Sequence, residues 1–547
     1  MKKLNLISII FASSAILLFS ACKQEKDPSE IKIEEKIKQY KEVVLTADLS
    51  HLSQSERDII PLLISAAEVI DEIFWLQSFG EKEELMDILE GTYAKEYALI
   101  NYGPWGRLEG HTAFLEGFPD NKPLGAQFYP EDMTREEFDN WENEDKTSPY
   151  TLIRRTDDGS LYTVAYSEAY KEQYSKINEL LMQASELAEY QPLSDYLKSL
   201  ANALLKDNFT ESDFAWMKMK DNNIDIVLRP LDAGEDRMLG YKAAHSTYIV
   251  VKDIEWSELM NRFAGYAKEL QQQLPVPELY KQEVPGENSE IMVYDAIYYA
   301  GHCNAGPKII ALHLPQDPAV QRIAGTRNMK LKNVMEAKFE WILQPIGEMV
   351  IHEEQKQYVS SDAFFILTAF HEIAAAMGIS KKVDGSGSVR DALREYHGII
   401  DATVTDLMAL YLINLLNQMD ELSDEELKQA YVTSFASVMR SSRFGTAGAH
   451  GIAGMIRFNY FENYGVFSRC DETETFTVNV DNMKSAVEET LAMLMIIQGD
   501  GNYQAAKEIV DKYGEMPETL KREIDRINNT DIPVDVYFKQ GLKHLGL

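Results

Sequence analysis

The sequence predicts a predominantly helical α+β protein built from two lobes. Apolar residues recur at helical spacing over most of residues 328–530 and again over residues 56–100. Runs rich in β-branched and aromatic residues are confined to residues 224–314, which indicates a small β-sheet or barrel. We therefore expect a mixed lobe that contains the sheet, a helical lobe, and a cleft between them in which ligands bind.

The first residues have the features of a secretory signal. Two lysines precede an apolar run that ends at Ala21 and Cys22. A transmembrane anchor is the alternative, but the polar run KQEKDPSE follows Cys22 at once and disfavours it. We expect cleavage before Cys22 and a lipid on its side chain. The protein would then be anchored to the membrane in the cell envelope of a bacterium, either in the periplasm or on the outer surface.

The pattern divides the chain into five segments. In order, they are a signal peptide at 1–21, the lipidated cysteine and a polar tether at 22–50, the mixed lobe at 51–320, the helical lobe at 321–530, and a C-terminal segment at 531–547 that returns to the first lobe. Within the mixed lobe the predicted elements are helices at 56–100, loops and short strands at 101–165, helices at 168–220, and strands at 224–229, 246–251, 291–299 and 308–314.

Composition argues against one class of partner. The 547 residues carry a formal net charge of −34, so the surface repels phosphate backbones and no nucleic-acid partner is expected. Besides Cys22 the chain has two cysteines, Cys303 and Cys470. In an oxidising compartment these two either pair or remain free thiols, and the sequence leaves both possibilities open.

One segment of the helical lobe looks like the metal-binding helix of a zinc peptidase with a ligand missing. Residues 370–378 read FHEIAAAMG, in which His371 and Glu372 match a zinc ligand followed by the general base. A second histidine is needed one helical turn later, so that both imidazoles face one ion. That position holds Ala375, and the position after it holds Ala376. A methyl group cannot bind zinc.

Several segments around this motif resemble the dipeptidyl peptidase III family of zinc exopeptidases, and most closely its bacterial and plant branch. They are LP at 314–315, GTRNMKLKNV at 325–334, FHE at 370–372, DATVTDLMALYL at 401–412 and RFGTAGAHG at 443–451, in the family's order and spacing. The resemblance covers roughly residues 55–545. It implies the family's two-lobed fold and a peptide or another small ligand in the cleft. Members of the family cleave dipeptides from the amino ends of peptides.

The resemblance also implies that the metal site is degenerate. The family's second motif, EExxAD, aligns with residues 401–406, where its final acid is kept as Asp406. The glutamate that binds zinc in the family is replaced by Ala402. Together with the missing second histidine, two of the three zinc ligands are absent, and His371 is the ligand that remains.

Ligand-binding positions follow from the same resemblance. The family's acid-x-tyrosine segment keeps its acid as Asp232, but Gly234 replaces the tyrosine whose hydroxyl helps to polarise the scissile carbonyl. Two asparagines that flank an apolar-proline pair become His313 and Gln316. His450 matches the histidine that contacts substrate and stabilises the transition state. Glu372 and His450 are therefore the retained catalytic positions, and Asp232, His313 and Gln316 are the substrate-binding ones.

A metal site with substitute ligands is the alternative. His397 and Asp401 lie four residues apart on one predicted helix face, where they would join His371. We favour the simpler interpretation that this face is solvated. Without zinc beside it, burial is expected to raise the pKa of Glu372.

The sequence therefore predicts an exported lipoprotein that lacks zinc-dependent peptidase activity, binds no cofactor and holds peptides in its cleft. An active metal-dependent dipeptidyl peptidase or hydrolase with zinc in a rearranged site is the second hypothesis. A purely structural lipoprotein is the third.

Overall fold

The chain folds into two lobes, and each lobe has its own hydrophobic core. The computed structural model describes residues 28–281, 289–446 and 448–547, so the predicted signal and Cys22 lie outside the described residues. The first core draws its buried side chains from Ile33 to Val334, and the second from Met260 to Val536. The α+β class and the two-lobed organisation predicted from the sequence are confirmed.

Helices make up most of both lobes. The first eleven are α1 (Pro28–Ile37), α2 (Gln54–Ser78), α3 (Lys82–Ile88), α4 (Tyr93–Asn101), α5 (Arg135–Asn140), α6 (Tyr166–Ala169), α7 (Lys171–Leu187), α8 (Gln191–Lys206), α9 (Thr210–Met217), α10 (Ile254–Gly265) and α11 (Ala267–Gln272). They are followed by α12 (Pro318–Ala324), α13 (Lys332–Lys338), α14 (Gln344–Val350), α15 (Ser361–Ala375), α16 (Val389–Leu393), α17 (His397–Gln418), α18 (Asp424–Ser442), α19 (Ala449–Asn463), α20 (Val480–Asp500), α21 (Tyr503–Tyr513), α22 (Glu518–Asn528) and α23 (Leu542–Leu545).

A curled five-stranded sheet is the centre of the mixed lobe. The strands of the chain are β1 (Tyr40–Val44), β2 (Trp105–Gly106), β3 (Thr112–Ala113), β4 (Thr151–Arg155), β5 (Leu161–Ala165), β6 (Ile224–Asp232), β7 (Ala244–Lys252), β8 (Ser289–Gly301), β9 (Ala311–Leu314), β10 (Thr326–Leu331), β11 (Phe467–Cys470), β12 (Thr475–Val478) and β13 (Asp535–Lys539). The sheet has the order β6-β7-β8-β10-β9, in which only the β8–β10 pair is parallel. Strands β6 and β9 therefore form its two edges.

Four strands of this sheet were predicted and are confirmed, but β10 was assigned to the start of the helical region. Its sequence, TRNMKL, contains four polar or charged side chains, three of which are buried although periodicity does not mark them as such. Arg327 is nevertheless fully buried, because its guanidinium donates to the carbonyl of Met219 and to the carboxylate of Glu290. Its partners come from other elements, so the local sequence gave no strand signal.

The segment predicted to be a tether is partly structured, which corrects that prediction. Residues 28–50 contain α1 and β1, and β1 pairs in parallel with β13 from the C-terminal segment. Ile33, Tyr40 and Leu45 are buried in the core of the first lobe. Burial of these apolar side chains and pairing of the β1 backbone hold the segment on the lobe.

Some elements belong to a different lobe from their neighbours in the sequence. Side chains of α10 and α11, which precede β8 in the chain, belong to the core of the helical lobe. Strand β10 crosses back and contributes to the sheet. Sheet and helical lobe are thus interleaved in sequence, and the end of β10 leads directly into α13.

Candidate functional site

Helix α15 carries the peptidase-like motif near its C-terminal end. It begins after Ser360, whose hydroxyl accepts a hydrogen bond from the backbone N–H of Ala363, as a helix N-cap does. Phe364 and Phe370 are among the apolar side chains that it buries in the helical lobe. Because the helix is anchored by this apolar face, His371 on its other side is partly exposed towards a cavity.

Asp406 on α17 joins His371 to an arginine. Its Oδ1 lies 2.9 Å from His371 Nδ1, and its Oδ2 lies 2.9 Å from Arg457 Nη2 on α19. Burial raises the pKa of the Asp406 carboxyl, but the charge of Arg457 and the hydrogen bond from His371 outweigh it, so the pKa is lowered. Asp406 is therefore ionised at neutral pH and fixes the orientation of the His371 ring.

Glu372 is paired with a lysine from the sheet. Its Oε1 accepts a hydrogen bond of 2.8 Å from Lys330 Nζ on β10, whose side chain has no exposed surface. Burial raises the pKa of Glu372, but the charge and hydrogen bond of Lys330 outweigh it and the pKa is lowered. The prediction of a raised pKa was wrong, because a cation from another lobe replaces the solvation that burial removes.

The described residues do not fit a zinc ion of the family's kind. Ala375 and Ala402 offer no donor atoms, and Ala402 lies one turn before Asp406 on the same face of α17. Within residues 28–281, 289–446 and 448–547, no three His, Cys, Asp or Glu side chains form a group that would hold a metal. His371 Nδ1 is occupied by Asp406, and Glu372 by Lys330. A retained zinc site needs three or four protein donors.

The predicted substitute ligands lie elsewhere. Asp401 Oδ1 accepts a hydrogen bond of 3.2 Å from Gln498 on α20. His397 is the first residue of α17 and is partly exposed. Neither side chain forms a metal-binding group with His371. The described cysteines Cys303 and Cys470 are free rather than paired.

A cavity of about 460 Å³ opens beside His371 and Asp406. His450, at the start of α19, lines it, and the ring centroids of His371 and His450 are 6.1 Å apart. The remaining lining is Ile310, Phe364, Leu367, Thr368, Ala409, Leu410, Ser434, Ser437, Arg440, Ser441 and Arg457. The structure therefore brings the two retained histidines together at one cavity.

The predicted substrate-binding residues lie on the sheet. His313 on β9 pairs with Asn328 on β10, and its Nδ1 is 2.8 Å from Asn328 Oδ1. Asn328 and Lys330 are two residues apart on β10, so their side chains and that of His313 share the sheet face that meets α15. Gln316, just beyond β9, lines a second cavity of about 380 Å³.

Asp232 ends β6 at the opposite edge of the sheet. The hydroxyl of Ser246 donates to its carboxylate at 2.6 Å, and His302 Nδ1 lies 3.2 Å away. Burial raises the pKa of Asp232, but His302 and Ser246 outweigh it and the pKa is lowered. Ala233 and Gln316 line the same cavity, so the curled sheet brings the ends of β6 and β9 near each other. A Cβ at Gly234 would meet open space, and nothing there supplies the family's hydroxyl.

Comparison with solved structures gives a close match over nearly the whole chain. The structure of DPP III (dipeptidyl peptidase III) from Caldithrix abyssi is 33% identical, with a TM-score of 0.89, and the match covers 93% of this chain and 99% of that chain. This chain belongs to the dipeptidyl peptidase III family. DPP III from Corallococcus sp. strain EGB is 28% identical, with a TM-score of 0.79, over 94% of this chain and 98% of that chain.

A plant protein extends the comparison. The protein named Nudix hydrolase 3 from Arabidopsis thaliana is 30% identical over 579 residues, which cover 94% of this chain and 74% of that protein. A quarter of the plant protein lies outside the match, so the activity in its name is not carried over to this dipeptidyl peptidase III relative. No protein-family model matches the chain.

Sequence reasoning missed two cations and one histidine of the site. Lys330 and Arg457 neutralise the two carboxylates beside His371, and His302 contacts Asp232. Lys330 lies inside the quoted segment GTRNMKLKNV, so its position was known but its partner was not. A lysine in the middle of a strand-length segment is the one local signal that was available.

Replacing Glu372 is expected to cost more stability than replacing Lys330. Glu372→Gln leaves a fully buried ammonium without its partner, which costs roughly 3–5 kcal/mol. Lys330→Met leaves a carboxylate with a quarter of its side chain exposed, so water replaces part of the lost interaction and the cost is about 1 kcal/mol. Urea denaturation at pH 7 measures both, with the exposed Glu354→Gln as the control. No loss in either variant would contradict the ion pair, and equal losses would contradict the expected difference between its two members.

The Asp406 network is expected to make stability depend on pH. The pKa of the Asp406 carboxyl is lower in the folded state than in the unfolded state, so the unfolded state binds more protons as the pH falls. The network's contribution to the free energy of unfolding is therefore complete above the unfolded pKa of about 3.9 and is lost as the pH falls below it. Urea midpoints at pH 6 and pH 3 should therefore differ less in Asp406→Asn than in the wild type. Exposed Asp362→Asn is the control. An unchanged difference in Asp406→Asn would show that the network does not form.

Proposed function

We propose that this protein is an exported lipoprotein of the dipeptidyl peptidase III family that binds peptides and has no zinc-dependent peptidase activity. The observation that carries the proposal is the contact between Lys330 and Glu372. In a zinc peptidase the carboxylate at this position takes a proton from water. Here an ammonium donates to that carboxylate at 2.8 Å and competes for its lone pairs.

The other reacting groups support the same proposal. His371 keeps its imidazole, but its Nδ1 is bonded to Asp406, which is itself neutralised by Arg457. The side chains at 375 and 402 are methyl groups, and Gly234 has no hydroxyl for a developing oxyanion. What remains at the cavity is a set of hydrogen-bonding side chains that bind and orient a ligand.

Peptide binding is supported by the free edge of the sheet. Strand β9 pairs with β10 on one side, and no other strand among the described residues pairs with it on the other. An extended peptide adds to such an edge through main-chain hydrogen bonds, and side chains beside the edge select its residues. Gln316 lies just past β9 and lines a cavity together with Asp317 and Ala233, so polar side chains stand at the end of this edge.

One observation favours a second candidate, a metal-dependent hydrolase with a rearranged site. The rings of His371 and His450 are 6.1 Å apart, so two imidazoles are near one another beside Glu372. For this candidate to hold, Glu372 must leave Lys330 and a third donor must move in. Metal content separates the two candidates.

The purified protein is expected to contain no stoichiometric zinc. Chelator treatment should change neither its thermal stability nor any background hydrolysis of dipeptidyl-naphthylamides. The triple variant Ala375→His, Ala402→Glu, Lys330→Met restores two donors and frees Glu372, so its zinc affinity should rise by about 100-fold or more. Mass spectrometry of metals and calorimetric titration measure both. Ala375→His alone serves as the control, since two imidazoles hold zinc weakly. One zinc per wild-type chain, lost with activity on chelation, would favour the hydrolase instead.

The proposed lipid anchor is tested at Cys22. The wild type expressed in a bacterial host should partition with membranes and incorporate labelled palmitate, whereas Cys22→Ser should do neither. Cys470→Ser, which changes a partly exposed cysteine elsewhere, is the matched control and should behave as the wild type. Soluble, unlabelled wild-type protein would contradict the anchor.

A further inference from the structure

An arginine beside the His371 cavity has no partner. Arg440 on α18 lines the cavity, and its guanidinium makes no hydrogen bond or ion pair with any residue that the structure describes. The guanidinium carbon of Arg440 lies over the ring of Phe364, 5.9 Å from the ring centroid. A cation that is largely removed from water without a partner is costly, so this position is suited to an anion supplied by a ligand.

Nearby charges do not neutralise Arg440. Burial lowers its pKa, and only the distant carboxylate of Asp535 acts in the opposite direction. That carboxylate is already paired with Lys338 at 2.9 Å. On the other wall of the cavity, Arg457 uses one nitrogen on Asp406, while its Nε has no hydrogen-bond partner. Two guanidinium groups and two imidazoles therefore face one ionised carboxylate.

The hydroxyl groups of the cavity do not compete for these donors. Ser434, Ser437 and Ser441 donate to backbone carbonyls of their own helix, and Thr368 donates to the carbonyl of Phe364. The guanidinium N–H groups are therefore the donors left for a ligand. The chain as a whole has a formal charge of −34, but this cavity has an excess of positive charge. The cavity therefore attracts anions, whereas the rest of the surface repels them.

The cavity also has an apolar wall. Ile310, Phe364, Leu367 and Leu410 line it beside the arginines. Its volume of about 460 Å³ exceeds what a bare phosphate or sulfate needs. The lining fits a ligand with a carboxylate at one end and an apolar body behind it.

We infer that this cavity binds the carboxyl end of a short peptide whose last residue is apolar, with Arg440 as the principal carboxylate ligand. The inference rests on the peptide binding proposed above and specifies its ligand. Ile310 precedes β9 and lines this cavity, whereas Gln316 follows β9 and lines the second cavity. The edge strand thus runs from the cavity of Arg440 to one lined by Asp317 and by the ion pair of Asp213 with Arg229. Six residues of extended chain span about 20 Å, so a hexapeptide along β9 would reach from one cavity to the other.

The test uses an alternating alanine–leucine hexapeptide that ends in leucine, as the free acid and as the C-terminal amide. Isothermal titration calorimetry is expected to show that the wild type binds the acid about tenfold more tightly than the amide. In Arg440→Gln the acid should bind no better than the amide, and amide binding should be unchanged. Arg440→Lys keeps the charge and should retain part of the preference. The exposed Arg390→Gln on the same lobe should behave as the wild type.

The outcomes separate this inference from the proposed function. Equal binding of acid and amide to the wild type, or an acid preference that survives in Arg440→Gln, would overturn the carboxylate site while leaving peptide binding intact. No binding of either hexapeptide would overturn both. Inorganic phosphate that displaces the acid at equal concentration would show a bare oxyanion site and would also overturn the inference. If Arg440→Gln does not fold, the acid and amide are compared on the wild type and on Arg440→Lys, and that comparison still tests the carboxylate site.

Discussion

A buried ammonium on the sheet, held against a carboxylate on a helix, sets the geometry of the site. Lys330 has no exposed surface, so its charge is tolerated only because Glu372 accepts its hydrogen bond. The two residues belong to different lobes, and the contact fixes how β10 lies against α15. His313 and Asn328 share the sheet face of Lys330, and the alignment therefore turns them towards α15.

The charges of the site are arranged in pairs that leave a net positive excess. Glu372 has Lys330, and Asp406 has both Arg457 and His371. These pairs lower the pKa of both carboxyls despite burial, so neither acid is held neutral for proton transfer at pH 7. The surplus cations face the cavity. An acidic chain thus keeps unpaired positive charge at the cavity beside His371.

The family's scaffold is present in a chain whose side chains at 375 and 402 are methyl groups. Helices α15 and α17 are held by buried apolar side chains such as Phe370, Val404 and Leu407, which do not need an ion. Methyl groups at 375 and 402 cost this packing little, and Ala402 is itself buried. Catalytic groups and fold stability are therefore separable, which is why fold similarity by itself does not assign an activity.

The sequence by itself determined the helical lobe, four of the five strands of the sheet, and the presence of His371 and Glu372 on one helix without a second histidine. Each of these depends on local periodicity or on spacing within one helix. The tertiary structure alone decided the partner of Glu372, 42 residues away, the burial of Arg327 in an unpredicted strand, and the pairing of β1 with β13 across nearly the whole chain. It also reversed the expected pKa shift of Glu372. The reason is physical: a charged side chain is stable in the interior only beside a specific partner, and local sequence does not record which distant residue the fold brings to it.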